Sequence, residues 1–223
     1  MCGIFGVISQ HSVSSQVFHE LGEYNIPRGN MGFGGLCWSS VSNHVFRFTT
    51  PFDAKQVDLC KANIVLGHIR APTGGQSDSL ANIHPFETER LLLAHNGLLI
   101  NHTQFPHWRL DPSVLVDSQV IIGGISEVLQ AEDNVPTAIT KTVSELDGQQ
   151  GCWLWDKNHQ QLYLWRVMSS LYYTYRSGQL IFSSVQCPLA HQLLPEGTIF
   201  QANETAQYFS QVGKFDFYNP YKV

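Results

Sequence analysis

Apolar side chains recur along this chain with two different periods, and the places where the period changes predict the order of its elements. Residues 1–9 combine small and apolar side chains without a charge, which is typical of a buried strand that ends at Ser9. Further strands are predicted at 34–40, 44–49, 62–69 and 91–94, and short helices at 12–24 and 53–60. Four glycines between 29 and 35 predict a loop over 27–35.

The middle of the chain carries a helical pattern and the end returns to strands. Apolar residues recur at helical spacing over 117–129 and 135–146, where Pro136 suits a helix start. The strands that follow are predicted at 151–156, 160–166, 171–176, 179–184 and 197–201. Because each sheet has two faces to bury, this order predicts an α+β fold: a four-layer αββα sandwich of two mostly antiparallel sheets.

Length and charge narrow the class of protein. The 223 residues suit a single domain over 1–223. With 13 basic and 18 acidic residues, a net charge of -5 and no basic run, the chain is not expected to bind nucleic acid. No stretch reads as a signal peptide or approaches the roughly 20 apolar residues of a membrane helix. We therefore expect a soluble, cytoplasmic protein that does not bind membranes.

The metal-binding residue types are scattered. The five cysteines are widely spaced without a C-x-x-C pair, so reduced thiols are expected. The ten histidines form neither H-x-x-x-H nor H-E-x-x-H. The sequence thus predicts no metal site and no cofactor.

The second residue, Cys2, is the first candidate for chemistry. Removal of the initiator methionine would leave its thiol beside its own α-amine, and these groups titrate near ~8.5 and ~7.7–8.0. One residue could then serve as nucleophile and base. The alternative is a small buried hydrophobe at the start of a strand. From residues 1–8 alone both readings stay open.

Three further segments place a polar side chain at a strand end or helix start. Arg70 enters a loop rich in proline and glycine, where its guanidinium could hold a carboxylate; a surface arginine is the alternative. Asn96 and Gly97 follow a buried strand and could donate two hydrogen bonds to one oxyanion, but Asn-Gly is also a common tight turn. Asp117 stands at a helix start and could be a simple N-cap.

Together these segments resemble the class II, or N-terminal nucleophile, glutamine amidotransferase family. The matching motifs, in order, are Cys-Gly-Ile-x-Gly at 2–6, Arg-Gly at 28–29, Gly-His-x-Arg at 67–70, Thr73, His-Asn-Gly at 95–97 and Asp117. They span most of the chain. The resemblance implies the N-terminal nucleophile hydrolase type of the αββα sandwich and the hydrolysis of L-glutamine to glutamate and ammonia.

The same resemblance implies a role for each matching residue. Cys2 would attack the side-chain amide of glutamine and form a γ-glutamyl thioester, with Asn96 and Gly97 as the oxyanion hole. The substrate-binding residues would be Arg70 and Thr73 for the α-carboxylate, Asp117 for the α-ammonium, and Arg28 and Gly29 in a substrate-closing loop.

Three positions depart from the family pattern. Pro27 stands where the family's loop usually has histidine, and Met31 where it has an acidic residue. Gly74 replaces a histidine that often follows the threonine. These departures concern closure of the site rather than its primary chemical groups.

The length of the chain suggests which kind of protein receives the ammonia. The family's best-known members carry a fused synthase, which these 223 residues leave no room for. We therefore expect a glutaminase subunit that passes ammonia to a separate synthase, with residues 214–223 as a docking tail because of their aromatic side chains. An edge strand packed on its own domain is the alternative for the tail. Alternatives for the function are a γ-glutamyl amide hydrolase acting alone, a noncatalytic glutamine-binding module, and an amide hydrolase of the penicillin or bile-salt type.

Overall fold

The computed structural model describes residues 2–59, 61–71, 79–114 and 116–219. Within them, the helices are α1 (Ser15–Asn25), α2 (Gln119–Ala131) and α3 (Val135–Ser144). The strands are β1 (Gly3–Ser9), β2 (Phe33–Trp38), β3 (Asn43–Phe48), β4 (Ile64–Ile69), β5 (Phe86–Glu87), β6 (Leu91–Leu99), β7 (Gly148–Asp156), β8 (Gln161–Val167), β9 (Tyr172–Arg176), β10 (Gln179–Ser183), β11 (Gln192–Leu193), β12 (Thr198–Asn203) and β13 (Phe209–Lys214).

These strands form two antiparallel sheets. The first has seven strands in the order β11-β9-β10-β1-β4-β2-β3. The second has six, in the order β13-β12-β8-β7-β6-β5. The first strand of the chain therefore lies near the middle of a sheet, and every β1 residue is buried. The uncharged composition of residues 1–9 follows from this position.

The layers follow from the alternation of side chains along each strand. Residues such as Ile4, Leu66 and Ala94 point into a core between the two sheets, together with Trp153 and Trp155. The opposite faces form two outer cores, one between the first sheet and α1 and one between the second sheet and α2 with α3. The four-layer αββα sandwich predicted from the element order is confirmed.

Helix boundaries agree closely with the sequence patterns. Ser14 caps α1 by accepting from Gln16 N–H, and Asn134 caps α3 by accepting from Thr137 N–H. The helix predicted at 53–60 is wrong, because the described residues 53–59 form only a 3₁₀ turn, Ala54–Gln56. Gly34 and Gly35 belong to β2, which agrees with the strand predicted at 34–40 and shortens the loop predicted over 27–35.

Two strands differ from the sequence prediction in a way that affects function. β6 continues from the predicted end at residue 94 to Leu99, because residues 95–99 pair with β7. β13 and its pairing with β12 were missed, since residues 209–214 alternate too weakly to reveal an edge strand. After β13, Phe215 is buried and Phe217 packs against the same core, whereas Tyr218 is exposed.

No helix among the described residues is long and apolar enough to span a lipid bilayer.

Candidate active site

Several strand ends converge at one edge of the sandwich. β1 begins there, and it is antiparallel to β4 and β10, so both of those strands end there. The last ladder pairs at this edge are Gly3 with Ile69 and Ile4 with His68. β6, in the second sheet, faces β1 and β4 across the core between the two sheets. The side chains at positions 2, 68, 70 and 96 therefore lie on the faces of their strands that point toward the core between the two sheets.

The Cys2 thiol lies against the backbone that follows β4. Its Sγ is 3.4 Å from both the carbonyl oxygen and the amide nitrogen of Ala71. Burial raises the pKa of the thiol, and this outweighs the hydrogen bond from Ala71 and the positive charge of Arg70, which lower it. At neutral pH the thiol is thus protonated and needs a base to become a nucleophile.

The Arg28–Gly29 segment packs on that same Ala71. Gly29 has φ 152°, and a Cβ there would lie 2.4 Å from the Ala71 Cβ, so only glycine permits this approach. The next residues are tied to β4, since Met31 N–H donates to Arg70 O at 3.0 Å. Burial lowers the pKa of the Arg28 guanidinium from its usual value, while the nearby Cys2 thiol acts to raise it. The segment predicted to close over substrate therefore lies beside the thiol.

Arg70 and Asp117 bring opposite charges to the thiol. Both are buried, at 3% and 7% exposure. Burial lowers the pKa of Arg70, and the positive charge of Arg70 and the negative charge of Asp117 shift the pKa of Cys2 in opposite directions. The Asp117 carboxylate accepts the Leu99 N–H at 2.7 Å. It does not cap α2, whose N-cap is Ser118, so the interpretation of Asp117 as a helix cap is wrong.

Asn96 and Gly97 lie inside β6, paired with Gly151 and Gln150 of β7. The tight-turn interpretation of Asn-Gly is therefore wrong. Glycine at 97 is required by packing, since a Cβ there would lie 1.8 Å from the Gln149 carbonyl oxygen. Asn96 is fully buried.

His95 ties this strand to the start of α2. Its Nε2 is 3.0 Å from Gln149 O, which can only accept, and its Nδ1 is 2.8 Å from Ser118 Oγ. A neutral His95 therefore carries its proton on Nε2 and accepts from Ser118 at Nδ1. The two contacts fix the register of Asn96 and Gly97 relative to Asp117.

Several polar atoms at this edge are buried without a hydrogen-bond partner among the described residues, and they include Asn96 Oδ1, Arg28 Nη1 and both ring nitrogens of His68. Buried polar atoms in folded proteins usually have partners, so such atoms mark a place for a polar ligand. The structure brings Cys2, Arg28, Arg70 and Asp117 together, with Asn96 on the facing strand. Thr73 falls outside the described residues, and its role stays a prediction.

The model of a protein family described as a glutamine amidotransferase domain matches residues 76–191, which is more than half of the chain. The chain belongs to this family. The match includes Asn96, Gly97 and Asp117, and it begins after Cys2, Arg28 and Arg70.

Relatives extend the likeness of this glutamine amidotransferase domain to class II members. Over 193 residues it is 28% identical to the glutamine–fructose-6-phosphate aminotransferase (isomerizing) of Helicobacter pylori, covering 81% of this chain and 30% of the relative. Among solved structures, the glutamine phosphoribosylpyrophosphate amidotransferase of B. subtilis superimposes with a TM-score of 0.77 at 18% identity, covering 96% of this chain and 49% of that one. A glutamine aminotransferase class-II domain protein from Silicibacter pomeroyi gives 0.60 at 15% identity and covers 96% of this chain and all of that one.

The share of each chain covered shows that these proteins differ in length. The amidotransferase domain spans about a third or less of the curated relatives it matches. The solved structures share the two-sheet sandwich fold of this chain.

Sequence reasoning missed two serines at this edge of the amidotransferase domain. Asn96 Nδ2 donates to Ser169 Oγ at 3.3 Å, and Arg28 Nη2 donates to Ser170 Oγ at 2.5 Å. Both serines lie between β8 and β9, and nothing in Met168-Ser169-Ser170 stands out as a motif. The useful signal was their position directly after an apolar strand.

Proposed function

We propose that this domain hydrolyses the side-chain amide of L-glutamine to glutamate and ammonia through Cys2. The observation that carries the proposal is the Cys2 thiol, which is buried at a strand end where Arg70 and Asp117 act on its pKa and the Arg28 guanidinium lies nearby. A zwitterionic amino acid needs one cation for its carboxylate and one anion for its ammonium. Arg70, with Thr73, would take the first and Asp117 the second.

The chemistry follows from the state of the thiol. Because burial raises its pKa, Cys2 needs a proton acceptor, and removal of Met1 would supply one as the α-amine of Cys2 itself. The thiol sulfur would bond to the amide carbon while the amine takes the thiol proton. The oxyanion would be held by the Asn96 carboxamide and the Gly97 N–H.

The remaining steps balance the reaction. Return of the proton to the leaving nitrogen releases ammonia and leaves a γ-glutamyl thioester. Water then attacks the thioester, which yields glutamate and restores the thiol. Arg28 and Gly29 would close over the bound amino acid, since Arg28 Nη1 is buried without a partner among the described residues.

Intact mass combined with an ammonia assay tests this proposal. The mature protein should lack Met1 and release ammonia from L-glutamine, and Cys2→Ala should abolish that activity without changing the melting temperature by more than a few degrees. A processed protein that releases no ammonia would refute glutaminase activity. Turnover of γ-glutamyl-p-nitroanilide without turnover of glutamine would instead favour the γ-glutamyl amide hydrolase.

We also propose that the ammonia is used by a separate synthase subunit. The name of the Helicobacter pylori relative pairs glutamine with fructose 6-phosphate, and this chain covers 30% of that relative. A glutaminase that ran without an acceptor would waste glutamine. We place the pair in the cytoplasm, where the described cysteines, which form no disulfide with one another, would stay reduced.

We also propose that residues 1–223 form one domain and that residues 214–223 dock on the synthase. Deleting 214–223 would also remove Phe215, which is 7% exposed, from the core. Tyr218 is 64% exposed, so its substitution tests docking without removing a side chain from the core. Tyr218→Ser should leave the melting temperature unchanged and weaken binding to the synthase; unchanged binding would refute docking through this residue.

A further inference from the structure

We infer that Ser169 and Ser170 are positioning residues of the glutamine site: Ser169 orients the Asn96 carboxamide, and Ser170 holds the Arg28 guanidinium beside Cys2. This inference rests on the proposed function. Neither serine stands out in the sequence, and both connect residues from distant parts of the chain.

The hydroxyl of Ser169 makes a two-point contact with Asn96. It accepts from Asn96 Nδ2 at 3.3 Å and donates to the Asn96 backbone oxygen at 3.3 Å. One hydroxyl proton and two lone pairs are enough for both bonds. The contact fixes which side of the carboxamide carries the nitrogen. An oxyanion hole needs that orientation, because the amide nitrogen donates and the amide oxygen would repel the oxyanion.

The neighbouring strand leaves room for this contact. Gly151 pairs with Asn96, and a Cβ at 151 would lie 3.1 Å from Ser169 Oγ and 3.4 Å from Asn96 O. A side chain there would crowd Ser169 Oγ and touch Asn96 O at an ordinary contact distance. The glycine therefore permits Ser169 to lie directly over the backbone of Asn96.

Ser170 performs the corresponding task for Arg28. Its Oγ accepts from Arg28 Nη2 at 2.5 Å and donates to Ser184 O at 2.7 Å. Ser184 is itself fixed to β1, since its N–H donates to Ile4 O at 2.8 Å and its Oγ accepts from Ile4 N–H at 2.9 Å. The guanidinium is thus tied to the strand whose start carries Cys2.

The turn that presents both serines is held in an unusual conformation. Met168 has φ 47°, a left-handed value that residues other than glycine seldom adopt. Glu196 Oε1 accepts the Met168 N–H at 2.5 Å, and Arg166 Nη1 donates to Ser169 O at 3.0 Å. Arg166 and Glu196 also form an ion pair at 3.6 Å. A strained turn that is fixed from both sides is typical of functional sites.

Steady-state kinetics on L-glutamine separates the two roles. Ser169→Ala should lower kcat about 3- to 10-fold with little change in KM, the effect of one hydrogen bond of ordinary strength. Ser170→Ala should raise KM about 10-fold or more, because its bond involves a charged donor, and Ser170→Thr should restore it. Ser39→Ala is the matched control, since Ser39 is equally buried and donates to Ser42 O in the β2–β3 turn. That variant should leave both constants unchanged.

A double variant tests whether Ser169 acts through Asn96. In an Asn96→Ala background, Ser169→Ala should lower kcat no further. Independent losses of kcat in the double variant, or losses in Ser39→Ala as large as in Ser169→Ala, would overturn the inference. Gly151→Ala should reproduce the kcat loss of Ser169→Ala.

Nuclear magnetic resonance gives a reading that does not depend on activity. The side-chain carboxamide signals of Asn96, assigned by their loss in Asn96→Ala, should shift in Ser169→Ala and stay in place in Ser39→Ala. The Nε–H signal of Arg28 should shift in Ser170→Ala. If the wild-type protein releases no ammonia, the proposed function fails; unchanged Asn96 and Arg28 signals would overturn positioning itself.

Discussion

The two ends of the β6–β7 pair hold polar clusters of opposite character. At one end, Arg90 and Asp156 form a bidentate ion pair at 2.9 and 3.0 Å that Asp133 and His159 extend. At the other end, Asn96 Oδ1 and Arg28 Nη1 are buried without partners among the described residues. The same two strands thus carry a completed network and an incomplete one.

The pKa values show what each arrangement favours. Burial alone would raise the pKa of the Asp156 carboxyl, but hydrogen bonds from Arg90 and His159 outweigh it and hold the pKa below its usual range. Burial raises the pKa of Cys2, and its neighbours do not compensate. The completed network stabilises the charged form of Asp156. The incomplete network leaves buried polar atoms near Cys2 that a bound ligand would pair with. We therefore expect stability to depend on the first end and activity on the second.

Breaking the completed network should have the largest effect. Asp156→Ala removes a fully buried carboxylate from Arg90, whose side chain is 19% exposed, and should lower the free energy of unfolding by about 3–5 kcal/mol. Activity per folded molecule should stay within about twofold of wild type. Urea denaturation and glutaminase assays below the transition would check both. A stable but inactive variant would contradict the division between the two ends.

Substitution in the incomplete network should act on the reaction. Asn96→Ala should lower kcat about 10²- to 10³-fold, because it removes an oxyanion donor. Its free energy of unfolding should change by no more than about 1 kcal/mol, since the loss of the hydrogen bond to Ser169 is offset by the loss of a buried oxygen without a partner. Arg70→Ala should mainly raise KM for glutamine. Equal changes in kcat and KM from both substitutions would contradict the assigned roles.

Acid should destabilise the site end through its histidines. The rings of His68 and His84 lie with centroids 4.1 Å apart and planes tilted by 41°, and burial lowers the pKa of His68 to about 3 and that of His84 well below its usual value. An unfolded histidine titrates near ~6.5, so below that pH the unfolded chain binds protons that the native chain excludes. Stability should therefore fall as pH falls, by about 2–3 kcal/mol between pH 6 and 5.

Urea midpoints between pH 6 and 5 measure the slope of stability against pH. Carboxylates titrate below this pH range. His68→Leu should halve the slope. A wild-type curve that is flat between pH 6 and 5 would show that these histidines are protonated in the native state.

The smallest effect is expected for an exposed ion pair outside both ends. Lys141 and Glu132 lie 2.5 Å apart, with side chains 57% and 39% exposed. Lys141→Ala should change the free energy of unfolding by about 0.2–1 kcal/mol and leave kcat and KM unchanged, because water screens exposed charges. A loss as large as that of Asp156→Ala would show that pairing, rather than burial, sets the energy.

Local patterns predicted much of the fold. The uncharged run at 1–9, the helical spacing at 117–129 and the helix start marked by Pro136 all lead to elements of the predicted type, because each depends on neighbours in sequence. The patterns failed where long-range pairing decides. β6 runs through Asn96-Gly97, a turn sequence elsewhere, since β7 pairs with it along its full length. β13 exists because β12 offers an edge.

For the site, the sequence by itself determined the candidate reactive groups, because Cys2 and the motifs around Arg70, Asn96 and Asp117 are carried by residue type and order. Only the tertiary structure decided how they are oriented. It placed Asp117 on Leu99 instead of on its own helix, and Gly29 on Ala71. It also brought Ser169 to Asn96 across 73 positions and Ser170 to Arg28 across 142. Contacts over such separations arise from sheet packing, which short sequence patterns do not encode.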